Sequence, residues 1–173
     1  MPAEKPEFHS TWIIGYGNPF RKDDGIGPYV VDHLSADLGK GEDVALRSLH
    51  QLDPVLAEEL QGAEVLILVD ATVEPLERGL SWTRVQPKQG LSSCDTHHLQ
   101  PSVFAGLLGS LYQRSPAMWL VSVQGKDFGF GEGLSLEARE RADRASSEIV
   151  RFCRRDFIDK KRGSINDGAG GSR

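Results

Sequence analysis

Three short stretches of this sequence hold the side chains whose types and spacing could do chemistry. The first is Gly15-x-Gly17-Asn18-x-x-x-x-Asp23-Asp24-Gly25-x-Gly27. The second is Asp70, which closes the apolar run Val65-Leu66-Ile67-Leu68-Val69, and the third is Asp95-Thr96-His97-His98. Two carboxylates and an imidazole brought to one rim would suit a divalent ion that takes mixed oxygen and nitrogen ligands. A carboxylate there could also serve as a general base on water. Each stretch also has a plainer reading. Asp23 and Asp24 precede a helix start, where acidic residues stabilise the positive end of the dipole. The glycines could serve turn geometry alone. Asp70 could cap the next turn, and a histidine pair in a loop could be solvated or cap a helix. Composition and spacing do not decide whether the three stretches meet.

Other chemistries fit the residues poorly. A dinucleotide fingerprint needs Gly-x-Gly-x-x-Gly opening directly into a helix. Here Gly17 is followed by Asn18-Pro19-Phe20, and the helical pattern starts about ten residues later. There is no Gly-x-Ser-x-Gly elbow. Cys94 lies near His97 in the chain, but nothing in the sequence marks it as an activated thiolate.

The elements that must position these residues alternate between strand and helix. Trp12-Ile13-Ile14 runs into Gly15-Tyr16-Gly17-Asn18-Pro19, which predicts a strand ending in a tight turn. Ile26, Val30, Leu34 and Leu38 recur at four-residue spacing, and Val31 widens the stripe, which predicts an amphipathic helix with Pro28 in its first turn. A strand follows at 44–49, then a short helix at 54–60 with Asp53 as N-cap. The run at 65–69 predicts a central strand covered on both faces. An edge strand is expected at 80–85, a loop at 86–96, a helix from about 99 to 113, a strand at 118–123 and a glycine-rich loop at 125–133. The last helix is expected from Ser135 to about Phe157, on the stripe Ala138, Ala142, Ala145, Ile149 and Phe152. The pattern predicts an α/β fold in three layers, with a mostly parallel central sheet of about five strands and helices on both faces. Sites in such sheets collect at the carboxyl ends of the strands.

Composition sets the bounds. The chain has 173 residues, 39% of them apolar and 26% charged, which predicts one soluble globular domain. The expected division is a loose arm at 1–10, a domain at 11–158 and a disordered tail at 159–173. No apolar run is long enough for a membrane span or a leader, and the two cysteines are too few for a disulfide framework, so a cytoplasmic setting is expected. The formal charge of −5 argues against nucleic acid as a partner. That charge is uneven. Residues 151–173 hold seven Lys/Arg against three Asp/Glu, and residues 1–150 hold 13 against 22.

In order and spacing these segments resemble the [NiFe]-hydrogenase maturation endopeptidases, which trim the C-terminal extension of the hydrogenase large-subunit precursor. The resemblance runs through GYGNPFRKDDGIGPYVVDHL from residue 15, HQLDPVLAEEL at 50–60, LILVDA at 66–71, THHLQP at 96–101 and QGKDFGFGEGLS at 124–135, and covers roughly residues 12–155. Carried over residue by residue, it puts the metal-contacting acids on Asp24 and Asp70 and the imidazole on His97. Asp23 becomes a supporting acid, and His98 a variable neighbour. The segment after the second strand differs among branches of the family, so His50 and Gln51 are secondary candidates. The late loop, with Gln124-Gly125-Lys126-Asp127 where many members have Gln-Pro, looks closer to the branch serving bidirectional or NAD-linked hydrogenases.

The resemblance implies a cytoplasmic peptide-bond hydrolase, grouped with aspartic peptidases, whose partner is the nickel-loaded large-subunit precursor. It implies no tightly bound cofactor. The nickel is the substrate's own, with cadmium or zinc as surrogates, and Asp24, Asp70 and His97 would both contact it and carry catalysis. Neither nucleic acid nor membrane is an expected partner. The 125–133 loop is expected on the target-binding surface. The alternative is a non-cleaving nickel-sensing or scaffold protein that binds the large subunit.

Overall fold

The structure, a computed structural model, describes residues 9–38, 43–88 and 99–167, with side chains in the last range up to residue 155. Five strands form one sheet: β1 (Thr11–Tyr16), β2 (Val44–Leu49), β3 (Val65–Thr72), β4 (Leu80–Arg84) and β5 (Ala117–Gln124). Their order is β2-β1-β3-β5-β4, and only β4 runs antiparallel. The helices are α1 (Ile26–Leu38), α2 (Leu56–Glu59), α3 (Pro101–Tyr112) and α4 (Leu136–Asp167).

The unbroken apolar runs of β1 and β3 exist because both faces of each strand are covered. Successive side chains of a strand point to opposite faces. Ile13, Ile67 and Val69 pack with Ile26, Val30 and Leu34 of α1 and with Ala138, Ala142, Ala145 and Ile149 of α4. Trp12, Ile14, Leu66 and Leu68 pack on the other face with Leu56 and Leu60 around α2 and with Phe104 and Leu108 of α3. The expected three-layer α/β arrangement is therefore what the chain adopts. The narrow stripe of α4 is mostly alanine, which lets its backbone come close to the sheet and to α1, since interaxial distance follows side-chain size.

Local signals set most element ends. Ser135 Oγ accepts the N–H of Ala138 (3.3 Å) at the start of α4, whereas Asp53, expected as an N-cap, accepts the N–H of Val55 (2.9 Å) in the turn before α2, whose N-cap is Val55. Pro101 opens α3, where no N–H is needed. Three boundaries differ from expectation. The third strand continues through Thr72, so Asp70 lies inside it, paired with Ser122 of β5. Ser10 is tied in, because its carbonyl accepts the N–H groups of Glu64 (2.8 Å) and Val65 (3.0 Å). Helix α4 does not stop near Phe157 but continues to Asp167, so residues 159–167 are helical where a disordered tail was expected. No proline interrupts residues 157–167, so the loss of the apolar stripe does not by itself end the helix.

The chain leaves β1 through α1 to reach β2 on one side. It then crosses through α2 on the opposite face to reach β3 on the other side of β1. The carboxyl ends of β1 and β3 thus bound the crevice where the winding reverses, the usual place for a site in such a sheet.

Candidate active site

Strand register decides which side chains face that crevice. Ile14 pairs with Leu68 and Gly15 with Val69. One step further Tyr16 stands beside Asp70, and the two-residue alternation puts both on the face of Ile14 and Leu68. The Tyr16 hydroxyl donates a hydrogen bond to the Asp70 carboxylate, which also accepts the N–H of Ala71.

Asp24 enters the same crevice from the turn after β1. Two glycines make its approach possible. Gly17 has φ +139°, and a Cβ there would lie 1.9 Å from the carbonyl oxygen of Asp24. A Cβ on Gly27 would lie 2.4 Å from the Tyr16 carbonyl oxygen and 2.8 Å from that of Val69. The start of α1 is therefore pressed onto the ends of β1 and β3 at a separation that no other residue type allows. Within this turn Asp24 Oδ2 accepts the N–H of Asn18 (2.9 Å), and Asn18 Oδ1 accepts that of Phe20 (3.0 Å).

The crevice holds its charge at a cost. Burial pushes the Asp70 carboxyl up to about 6, and the negative charge of Asp24 adds to this, while the Tyr16 hydroxyl and the Ala71 N–H offset only part of it. Burial, followed by the charge of Asp70 and the hydrogen bond to it, drives the Tyr16 phenol far above its ordinary range, so Tyr16 remains a donor. Two half-buried carboxylates within electrostatic reach form an arrangement that a divalent cation would relieve.

Asp23 faces the other way. It is fully buried, and its carboxylate accepts four hydrogen bonds from the far end of the chain. Oδ2 takes the N–H groups of Lys126 (2.7 Å) and Asp127 (2.9 Å) and the Ser135 hydroxyl (2.8 Å), and Oδ1 takes the N–H of Ser135 (2.6 Å). Burial alone would raise this carboxyl; the four donors outweigh it and hold it below the ordinary range. Asp23, expected as a supporting acid of the site, thus binds the late loop rather than facing the crevice. Around it the two loops are stitched together. The N–H of Lys22 meets the Gly131 carbonyl and that of Gly131 the Phe20 carbonyl, each at 2.9 Å, and Lys22 Nζ pairs with Asp127. Arg21 bonds the Phe128 carbonyl and lies over the ring of Phe130.

Of the residues expected at the site, Asp24 and Asp70 come together. His97, together with Asp95, His98 and Cys94, lies outside the described residues. His50 and Gln51 are exposed just past the end of β2, the edge strand beyond β1. Among the described residues no group of three or more His, Cys, Asp or Glu could hold a metal, so a third ligand to Asp24 and Asp70 would have to come from elsewhere. Sequence reasoning missed Tyr16. The available signal was a hydroxyl at the carboxyl end of a strand whose other positions on that face, Trp12 and Ile14, are apolar.

No protein-family model and no curated protein matches this chain. Solved structures do. The [NiFe] hydrogenase maturation protease HycI from Thermococcus kodakarensis KOD1 superposes with a TM-score of 0.66 at 23% identity, over 84% of this chain and 93% of that one. The hydrogenase maturating endopeptidase HybD from E. coli gives 0.61 at 18% identity, over 84% and 93%. A hydrogenase 2 maturation peptidase from the Thaumarchaeota archaeon SCGC_AB-539-E09 gives 0.59 at 21% identity, over 82% and 96%. This chain has the hydrogenase maturation protease fold. The match spans nearly the whole of each of those chains. Among the described residues no helix is long and apolar enough to cross a membrane.

Proposed function

We propose that this chain is a maturation endopeptidase that removes the C-terminal extension of a [NiFe]-hydrogenase large-subunit precursor after nickel insertion. The observation that carries this reading is the meeting of Asp24 and Asp70 at the β1/β3 crevice of a fold shared with hydrogenase maturation proteases. In this reading the nickel arrives as part of the substrate. Asp24 and Asp70 supply two oxygen ligands and His97 a nitrogen ligand. The ion relieves the repulsion between the carboxylates, so a loaded precursor is held more tightly than an empty one. Hydrolysis then needs water at the scissile carbonyl. A carboxylate can take the proton from that water, and the divalent ion can polarise the carbonyl.

The rim around the crevice supports a macromolecular substrate. Among the described residues six large apolar side chains are strongly exposed, and five of them, Phe20, Val55, Val73, Phe130 and Leu136, lie in segments following the carboxyl ends of the parallel strands. Exposed apolar groups gathered on one rim mark protein contacts more than chance scatter does.

The test is incubation with nickel-loaded and nickel-free precursor, read by intact mass. Loss of the extension from the loaded form alone supports the proposal. A stable complex with unchanged precursor mass would instead make the chain a nickel-sensing scaffold. Asp24→Asn, Asp70→Asn and His97→Ala are each expected to abolish processing while leaving the chain folded.

A further inference from the structure

Tyr16 ends β1, Asp70 lies two residues before the end of β3, and the register one step past the Gly15–Val69 pair sets them side by side. A carboxylate on a free side chain rotates and presents either oxygen. Asp70 is held from two directions, by the Tyr16 hydroxyl and by the Ala71 N–H. The tyrosine is itself held: its backbone lies against Gly27 at the start of α1, and its ring packs against the cluster containing Ile14 and Leu68. A rigid strand end and a packed ring therefore fix the donor, and the donor fixes the carboxylate.

Resting on the maturation-protease reading, the geometry points to Tyr16 as the positioning residue of the site, orienting Asp70 so that its remaining lone pairs face the substrate's divalent ion. Tyr16 does not touch the ion or the scissile bond. It acts through Asp70, as the hydrogen-bond partners of metal-binding carboxylates generally do, and removing such a partner lowers metal affinity by about 10–100-fold. Tyr16→Phe deletes one oxygen and keeps the packed ring, so it isolates the hydrogen bond from the packing.

The experiment compares wild type, Tyr16→Phe and Asp70→Asn in two measurements. Cd2+ alone is titrated into each by calorimetry, and each is assayed on nickel-loaded precursor by mass, with kcat and KM separated. A melting curve verifies that Tyr16→Phe is folded. The expected result for Tyr16→Phe is Cd2+ affinity weakened by about 10–100-fold, with kcat reduced and KM for the nickel-loaded precursor raised as the ion contact weakens. Unchanged Cd2+ affinity and kcat in Tyr16→Phe, beside a wild type that processes normally, would overturn the inference and leave the protease reading standing. A rise in KM alone would overturn it too, because it would mark Tyr16 as a precursor contact. A wild type that neither binds Cd2+ nor cuts the precursor would overturn the protease reading itself, and the role of Tyr16 with it.

Discussion

Asp23 and Asp24 are neighbours in the chain, and their carboxylates live in opposite circumstances. Asp23 is buried and surrounded by donors. It ties the turn after β1 to Lys126, Asp127 and Ser135, more than a hundred residues away. Asp24 accepts the N–H of Asn18 and looks across the crevice to Asp70, a second carboxylate whose own donors do not offset its burial. A carboxylate with its hydrogen bonds filled has little left to offer a ligand, so its work is structural. Two carboxylates left mutually repulsive are a standing cost to the fold, and such costs persist where function requires them. The 3-10 turn Lys22–Gly25 separates the two side chains, sending one into the loop interface and the other into the crevice.

The sharpest way to break this contrast is Asp70→Asn. It is expected to abolish processing and to stabilise the chain. The folded state holds the Asp70 carboxyl near 6, above the ordinary value of 3.8. Its ionisation therefore costs stability progressively as pH rises from about 4 to about 6, and fully above that. The asparagine variant should gain roughly 1–3 kcal/mol at pH 8 and little at pH 4. Melting curves at the two pH values check this, and an equal change at both would refute it.

Asp23→Ala should do the reverse. Three backbone N–H groups and one hydroxyl lose their acceptor, and the expected loss is roughly 3 kcal/mol. Hydrogen exchange should rise across residues 125–135, with no faster exchange in α3. Because its carboxyl is held low, Asp23 contributes stability that is complete above the ordinary carboxylate range and is lost as pH falls through its lowered value. The variant should therefore show a weaker acid dependence than wild type.

Asp24→Asn probes the coupling between the two carboxylates. Without the Asp24 charge, Asp70 should titrate at lower pH, nearer its ordinary value. Following the Asp70 carboxyl carbon by NMR against pH reads that shift directly, and an unmoved titration would mean that the two groups do not interact. The smallest effect on the fold belongs to Phe130→Ala at the loop tip. With the ring 91% exposed, stability should change by less than about 0.5 kcal/mol. KM for the precursor should rise several-fold if the rim docks a protein, and an unchanged KM would remove Phe130 from that surface.

Much of this architecture was legible in the chain. The apolar runs at 12–14 and 65–69 announced central strands, because only burial on both faces favours such runs. Pro28, Pro101 and Ser135 marked helix starts through the N–H groups they lack or satisfy. Where the pattern misled, the cause was local. The apolar stripe of α4 fades near Phe157, but with no proline to stop it the backbone stays helical to Asp167. The apolar run of the third strand closes at Asp70, although backbone pairing with β5 continues through Thr72.

By itself the sequence determined the element types, the layer arrangement and the residues able to do chemistry, since all of these follow from side-chain type and short-range periodicity. It determined also that Asp24 and Asp70 would lie near strand ends. Only the tertiary structure decided how those residues are used. That Asp23 turns to the late loop while Asp24 turns to the crevice depends on a hundred-residue contact. That Tyr16 faces Asp70 depends on a strand register set jointly by β1 and β3. Such pairings arise from the packing of distant segments against one another, and no local periodicity in the chain encodes them.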